Sequence, residues 1–168
     1  MELSNTYLLE KGFGWQGILA EPGKNWHNSI LKNRNCSFSE KCVWNKNNEY
    51  IEFNETTIPE LSTIQSFSKK DNHNRISNNK YLVETLTLNS LLDNLGAPKN
   101  IDYISVDTEG SEFDILNVFN FELYNVKIFT IEHNFTSQRD KIFQLMSEKG
   151  YKRIYQSLSK FDDWYVKS

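Results

Sequence analysis

The stretch IDYISVDTEGSEFDIL, Ile101 to Leu116, constrains the fold more than any other part of this sequence. Ile101, Tyr103, Ile104 and Val106 form a run that is apolar on both faces. Such runs belong to strands of parallel sheets covered by helices on both sides. Ser111, with Asp114 three residues on, has the spacing of a weak capping box and opens a helix. Asp107, Thr108, Glu109 and Gly110 therefore fill a strand-to-helix turn. In open α/β sheets, ligands bind outside the carboxyl ends of the strands, so this acidic turn is a candidate site. A second apolar run, Val126–Ile131, ends the same way, in Glu132, His133 and Asn134.

The rest of the chain alternates in kind. A helix is expected over Ser4–Lys11 with Ser4 as its cap, and a short buried strand over Gly17–Glu21, stopped by Pro22. Trp26, Ile30 and Leu31 recur at helical spacing over Lys24–Asn33. Strands follow at Cys36–Val43 and Glu49–Phe53. YLVETLTL is a strand leading into a helix, Leu88–Leu95, that stops at Gly96 and Pro98. Ser137 with Asp140 caps another helix, whose apolar face is Ile142, Phe143, Leu145 and Met146 and which Gly150 closes. YKRIYQ and DWYVKS make two final strands joined by a short turn. Residues 61–80 are polar and read as a mobile surface loop, folding over substrate with Lys69, Lys70 and Arg75 turned to an anionic acceptor. Short connections between alternating strands and helices imply one domain over residues 1–168, with a mostly parallel sheet, helices on both faces and a terminal hairpin on one edge. The strands Gly17–Glu21, Cys36–Val43, Ile101–Val106 and Val126–Ile131 should share that sheet, with Glu21, Asp107 and His133 on one rim.

The net charge is -3, so no broad basic surface points to nucleic acid or membrane. No signal-peptide core and no spanning run is apparent. Cys36 and Cys42 match neither C-x-x-C nor a zinc pattern and read as ordinary thiols of a reducing cytoplasm. GFGWQG, Gly12 to Gly17, spells a dinucleotide motif, but it follows a helix and precedes a strand, the reverse of what phosphate binding at a helix N-terminus requires. It reads as a turn with Trp15 packed on the core.

Glu21 is the better clue. An acid ending the second strand of a nucleotide-binding unit can accept hydrogen bonds from both ribose hydroxyls, and lies about 20 residues beyond the glycine loop. A solvated acid before a proline turn is the equal alternative. Counting back from Glu21 reaches MELSNT, which has neither a glycine nor a preceding strand.

With Glu21, the acidic turn and IEHN in hand, the chain resembles the FkbM family of S-adenosylmethionine-dependent methyltransferases. The segments SNTYLLEKGFGWQGILAEP, NRNCSFSEKCVW, IDYISVDTEGSEFDIL, IFTIEHN and LSKFDDWYVK carry the resemblance. It spans nearly the whole chain except residues 61–80. It implies a class I methyltransferase (Rossmann-like) fold with a seven-stranded, mostly parallel sheet and an antiparallel last strand. It also implies S-adenosylmethionine as cofactor, with Glu21 on the ribose, Cys42 and Val43 flanking the adenine, and Asp107 near the methionine portion and the methyl. The family's glycine-rich loop should immediately precede SNT, so the sequence reads as N-terminally truncated, with a sheet edge through which copies could associate. An active enzyme and a non-catalytic remnant or binding partner both stay open.

As an enzyme, the chain is expected to methylate a hydroxyl of a sugar or other small metabolite. The reaction needs an acceptor oxygen in line with the methyl–sulfur bond and a group to take its proton. His133 is the base suggested by its ordinary pKa, with a structural histidine as the alternative; Asp107 and Glu109 could orient the hydroxyl or act as base. Glu112 is expected to be a surface acid favoured by the helix dipole. Asp107, Glu109, Glu132, His133 and Asn134 could offer ligands to Mg²⁺, but their spacing fixes no geometry and no metal is expected.

Overall fold

The computed structural model of the 168-residue chain describes residues 4–168, so Met1–Leu3 of the MELSNT segment lie outside it. The first helix, α1, is Tyr7–Phe13, later than Ser4–Lys11; Thr6 stands at its cap, and Ser4 Oγ instead accepts from Arg34 Nη1 at 3.3 Å. Gly14 ends it at φ 71°, a left-handed turn that only glycine adopts cheaply. Then come β1 (Ile18–Ala20), α2 (Lys24–Asn33), β2 (Ser37–Ser39), β3 (Cys42–Val43), β4 (Tyr50–Thr56), β5 (Thr63–Ile64) and β6 (Ser77–Leu86). The last part holds α3 (Leu88–Asn94), β7 (Asn100–Val106), α4 (Glu112–Asn117), β8 (Asn125–Glu132), α5 (Gln138–Glu148), β9 (Tyr151–Ile154) and β10 (Asp162–Lys167).

The architecture is α/β, but the single, mostly parallel sheet is not what forms. The described residues make three sheets, in the orders β1-β2, β7-β8-β10-β9 and β3-β6-β4-β5. β7 and β8 are parallel, from Ile101 opposite Val126 to Val106 opposite Ile131. β10 runs antiparallel to β8 and to β9, which gives the expected hairpin on one edge, closed by Tyr155–Phe161. The Cys36–Val43 run breaks, because Ser39 Oγ takes the Lys41 N–H at 3.3 Å and diverts the backbone into a local turn. Its two halves then join different sheets, β2 beside β1 and β3 beside β6.

Residues 61–80 are more than a surface loop. They contain β5, which pairs Ile64 with Phe53, and the start of β6, which runs antiparallel to β4. Ile64 and Phe67 are buried with Cys42, Phe53 and Val83 in a small second core. The main core lies on the β7–β10 sheet, where Ile115, Tyr124, Phe129, Ile131, Met146 and Tyr165 are wholly buried. Trp15 does not join it: the residue is 41% exposed, its N–H bonded to Leu9 O at 3.0 Å as α1 ends. Among the described residues, no helix is long and apolar enough to cross a membrane.

Candidate active site

The carboxyl ends of β7 and β8 lie side by side, and two turns leave them. After β7, Glu109 takes φ 59° and Gly110 φ 118°. A Cβ at Gly110 would come within 3.2 Å of Phe67, so both the backbone angle and the close approach call for glycine there. The turn folds the Glu109 carboxylate inward, leaving the residue 8% exposed. Glu109 N–H donates to Glu132 Oε2 at 3.1 Å, and Thr63 Oγ1 donates to Glu109 O at 2.9 Å. Arg75 Nη2 and Asn134 Nδ2, the latter at 3.1 Å, both donate to Glu109 Oε2.

Arg75 is fully covered; it also bonds Asp71 and, at 2.8 Å, Leu61 O. Turned inward in this way, it is not free for an anionic acceptor. On this side the recess among Asp71, Glu109, Glu132, His133 and Asn134 is only about 10 Å³, room for one water. The open side is at Asp107, which faces solvent.

Glu112, expected on the surface, is 2% exposed. Its Oε1 accepts from Thr108 N–H (2.9 Å), Thr108 Oγ1 (2.8 Å) and Gly110 N–H (3.0 Å). It ties the turn before α4 together, while Ser111 makes no cap bond and its hydroxyl donates to Thr108 Oγ1 instead. The sequence signal was present in T-E-G-S-E, a hydroxyl and a carboxylate bracketing a helix start.

Each of Asp107, Glu109 and Glu132 offers an oxygen within 4.8 Å of the others, a spacing a cation could also use. Crowding acids this closely raises their affinity for protons. Burial, then the charges of Asp107, Glu109 and Glu112, push Glu132 up to about 10. Desolvation by the surrounding protein also raises Asp107, against a hydrogen bond shared with Glu132. This pair therefore holds a proton at neutral pH. Burial carries Glu109 up to about 7, opposed by Arg75.

Glu21 follows β1, in a different sheet from Asp107 but near enough for that charge to act on it. Burial lifts it to about 7, against the Gly23 N–H that Oε1 accepts at 2.6 Å; the charges of Asp107 and Glu55 push it further up. Cys42 lies beside it: burial, then the charge of Glu21, raises the thiol to about 12, so it is neutral and unreactive. Val43 is partly buried against the main core. Pro22, Lys24, Ser39 and Lys41 border an open recess of about 390 Å³ next to these residues.

His133 has a different setting. Its Nδ1 accepts Phe135 N–H at 3.0 Å, which places the ring proton on Nε2, 3.8 Å from Asp163 Oδ1. Asp163 is itself held by Arg139 and Arg153. Burial, then Arg139, keeps the imidazole below its ordinary range, opposed by Asp163. The ring is neutral and its basic lone pair is engaged. Sequence reasoning missed Thr63 and Asp163, and misplaced Arg75, expected toward an anionic acceptor, and Glu112, expected on the surface. The only signal for Arg75 was a lone arginine four residues after an aspartate in a polar stretch.

A family model described as the Methyltransferase FkbM domain matches residues 2–153. Neither the comparison with curated proteins nor that with solved structures gave a match.

Proposed function

Since the chain belongs to the FkbM methyltransferase domain family, we propose that it methylates a hydroxyl of a sugar or other small metabolite with S-adenosylmethionine. The observation that carries this reading is the approach of Glu21 to Asp107, which is itself clustered with Glu109. Glu21 and Asp107 leave strands of separate sheets, yet the charge of Asp107 acts on Glu21. When bound, the cofactor supplies an activated methyl group on a positively charged sulfonium. The donor set fits it. Glu21 Oε1 is engaged by Gly23, and among the described residues Oε2 has no partner, so it is free to accept from ribose hydroxyls. The rim of clustered carboxylates suits a cation. Cys42 and Val43 line the adenine side, and Asp107, open to solvent, faces the methionine portion.

Glu109 is the base in this reading. Its carboxyl titrates near neutrality, where a general base works best. Arg75 and Asn134 hold Oε2, which leaves Oε1 to take the proton of an acceptor hydroxyl through the one water that the recess can admit. The left-handed backbone at Glu109 fixes the carboxylate in place. His133 leaves the catalytic set, because its only lone pair is already used; it becomes a positioning residue.

Calorimetric titration tests the cofactor half. S-adenosylmethionine should bind more tightly than S-adenosylhomocysteine, which lacks the charge, and added salt should narrow the gap. Glu21→Ala removes hydrogen bonds to a charged group, about 1.5–3 kcal/mol, and should weaken binding by roughly one to two decades. Glu109→Gln should leave cofactor affinity intact and abolish methyl transfer to a panel of sugars. Cofactor binding indifferent to Glu21→Ala would remove the basis of the proposal.

A further inference from the structure

Beyond Glu132 the chain turns through Asn134 and Phe135, both left-handed, at φ 43° and 55°. For a residue as bulky as phenylalanine this is a genuine outlier. Such strain persists only where the surroundings over-determine it, and it collects at ligand clamps and active sites. Three contacts hold it here. His133 Nδ1 takes the Phe135 N–H at 3.0 Å, and His133 O takes the Thr136 N–H at 2.8 Å. Asn134 Nδ2 grips the Glu109 carboxylate at 3.1 Å.

The result is that Phe135 is thrown outward, 66% exposed. It meets Phe161, 52% exposed, edge to face with ring centroids 5.9 Å apart. Phe161 comes from the other side of the same rim. Its carbonyl accepts His133 N–H at 2.8 Å, one step beyond the Asp162–Glu132 pair of the ladder. Single exposed apolar side chains are ordinary on protein surfaces. Two paired rings, one of them on a strained turn that an asparagine ties to the proposed base, are a built feature. Phenyl rings present an electron-rich face to the polarised C–H bonds of a sugar ring and stack equally on another aromatic ring.

We propose that Phe135 and Phe161 form the acceptor subsite, taking the flat apolar face of a ring-shaped acceptor, a pyranose or a phenol, with its hydroxyl turned to the small recess at Glu109 and Asn134. This rests on the methyl-transfer reading above and narrows its acceptor to a ring. His133 acts through Phe135, as the residue that locks the turn.

Saturation-transfer NMR on the full chain tests this with three probes: methyl β-D-glucopyranoside, 4-methylphenol and the open-chain polyol sorbitol. At least one ring probe should bind and sorbitol should not; which ring binds tells sugar from phenol. Phe135→Ala and Phe161→Ala should each weaken ring binding roughly two- to tenfold, and Phe135→Trp should retain it. His133→Ala should weaken it as well, and His133→Asn, whose amide oxygen can accept the same N–H, should restore it. Calorimetry with S-adenosylmethionine should give the same affinity for all these variants as for the parent. Failure of the parent to bind the cofactor would count against the methyl-transfer reading alone. Sorbitol binding as well as the rings, or ring binding unchanged in both alanine variants, would overturn the aromatic subsite.

Discussion

The β7–β10 sheet and the β3–β6 sheet are held together by different means. In the first, Ile115, Phe129, Ile131 and Tyr165 are completely buried and aromatic rings interlock, as where Phe129 meets Phe119, Phe121 and Tyr151. In the second, only five apolar side chains are buried together. Polar ties supply much of the rest: Thr63 to Glu109, Arg75 to Asp71 and Glu109, Asn54 to Ser68, and Tyr81 to Glu55. Apolar burial is non-directional and tolerates change that keeps volume, whereas a buried ion pair depends on both partners being present.

The sharpest contrast comes from deleting one ring. Phe129→Ala should cost about 3–5 kcal/mol, a large part of the stability of a domain this size. Leu82→Ala, on β6 and 65% exposed, should change stability by less than about 0.5 kcal/mol. Urea denaturation measures both. A Phe129→Ala cost near that of Leu82→Ala would mean that the first region is not the packed core of the molecule.

Arg75→Ala tests the second region directly. Removing one partner of a covered ion pair costs about 3–5 kcal/mol where the other must stay charged. Glu109 can escape by binding a proton, since it titrates at about 7. The loss should therefore be larger at pH 8 than at pH 5.5, as denaturation at the two pH values would show. An equal loss at both would mean that Glu109 is not the partner that matters.

These differences explain what was legible in the sequence. Ile101–Val106 and Val126–Ile131 were readable because a run that is apolar on both faces has few alternatives to a covered strand. The acidic turn was readable as a strand-to-helix turn because it follows such a run. Residues 61–80 were not, because a polar composition cannot say which partner each polar group finds. Arg75 is buried only because Asp71 and Glu109, 34 residues downstream of it, both converge on its guanidinium. The split at Cys36–Val43 was hidden for a similar reason: one Ser39 hydroxyl bond outweighs two weak strand ends. Glu112 was misplaced because a carboxylate at a helix start usually faces water; here three donors reward burying it.

The two kinds of region should also separate on a pH axis. Glu21 and Glu109 have folded-state values of about 7 against an ordinary 4.5. For a raised carboxyl, the folded state binds the proton more tightly. Its stabilisation is complete below about 4.5 and is lost as pH rises through 7. Glu10, lowered to about 2 by hydrogen bonds from Asn35 and Arg34 that outweigh its burial, works the other way, stabilising above 4.5 and failing as pH falls toward 2. Stability should therefore peak near pH 4.5 and decline between about pH 4.5 and 7. Glu21→Gln should flatten part of that decline, by on the order of 2 kcal/mol at pH 8. A stability profile that is flat or rises across this range would contradict the rim electrostatics.

The smallest effect concerns helix caps, and it tests whether local polar bonds matter more at the junction of the two regions than inside the first. Thr87 joins β6 to α3, and its side chain accepts the Ser90 N–H at 3.2 Å. Helix N-termini leave donors without intrahelical partners, and a cap that satisfies one contributes about 1 kcal/mol. Ser137 stands at the start of α5, where S-x-x-D spacing suggested a capping box, but its side chain makes no cap bond there. The α5 N-terminus is set instead by Gln138 Nε2, which donates to Gly110 O at 2.8 Å, and by Arg139, which pairs with Asp163 at 2.7 Å. Thr87→Ala should therefore cost about 1 kcal/mol, and Ser137→Ala less than about 0.5 kcal/mol. Thermal denaturation of the two variants at one pH separates these values. Equal costs would show that α5 relies on a serine cap after all, and that packing against the β7–β10 sheet does not replace it.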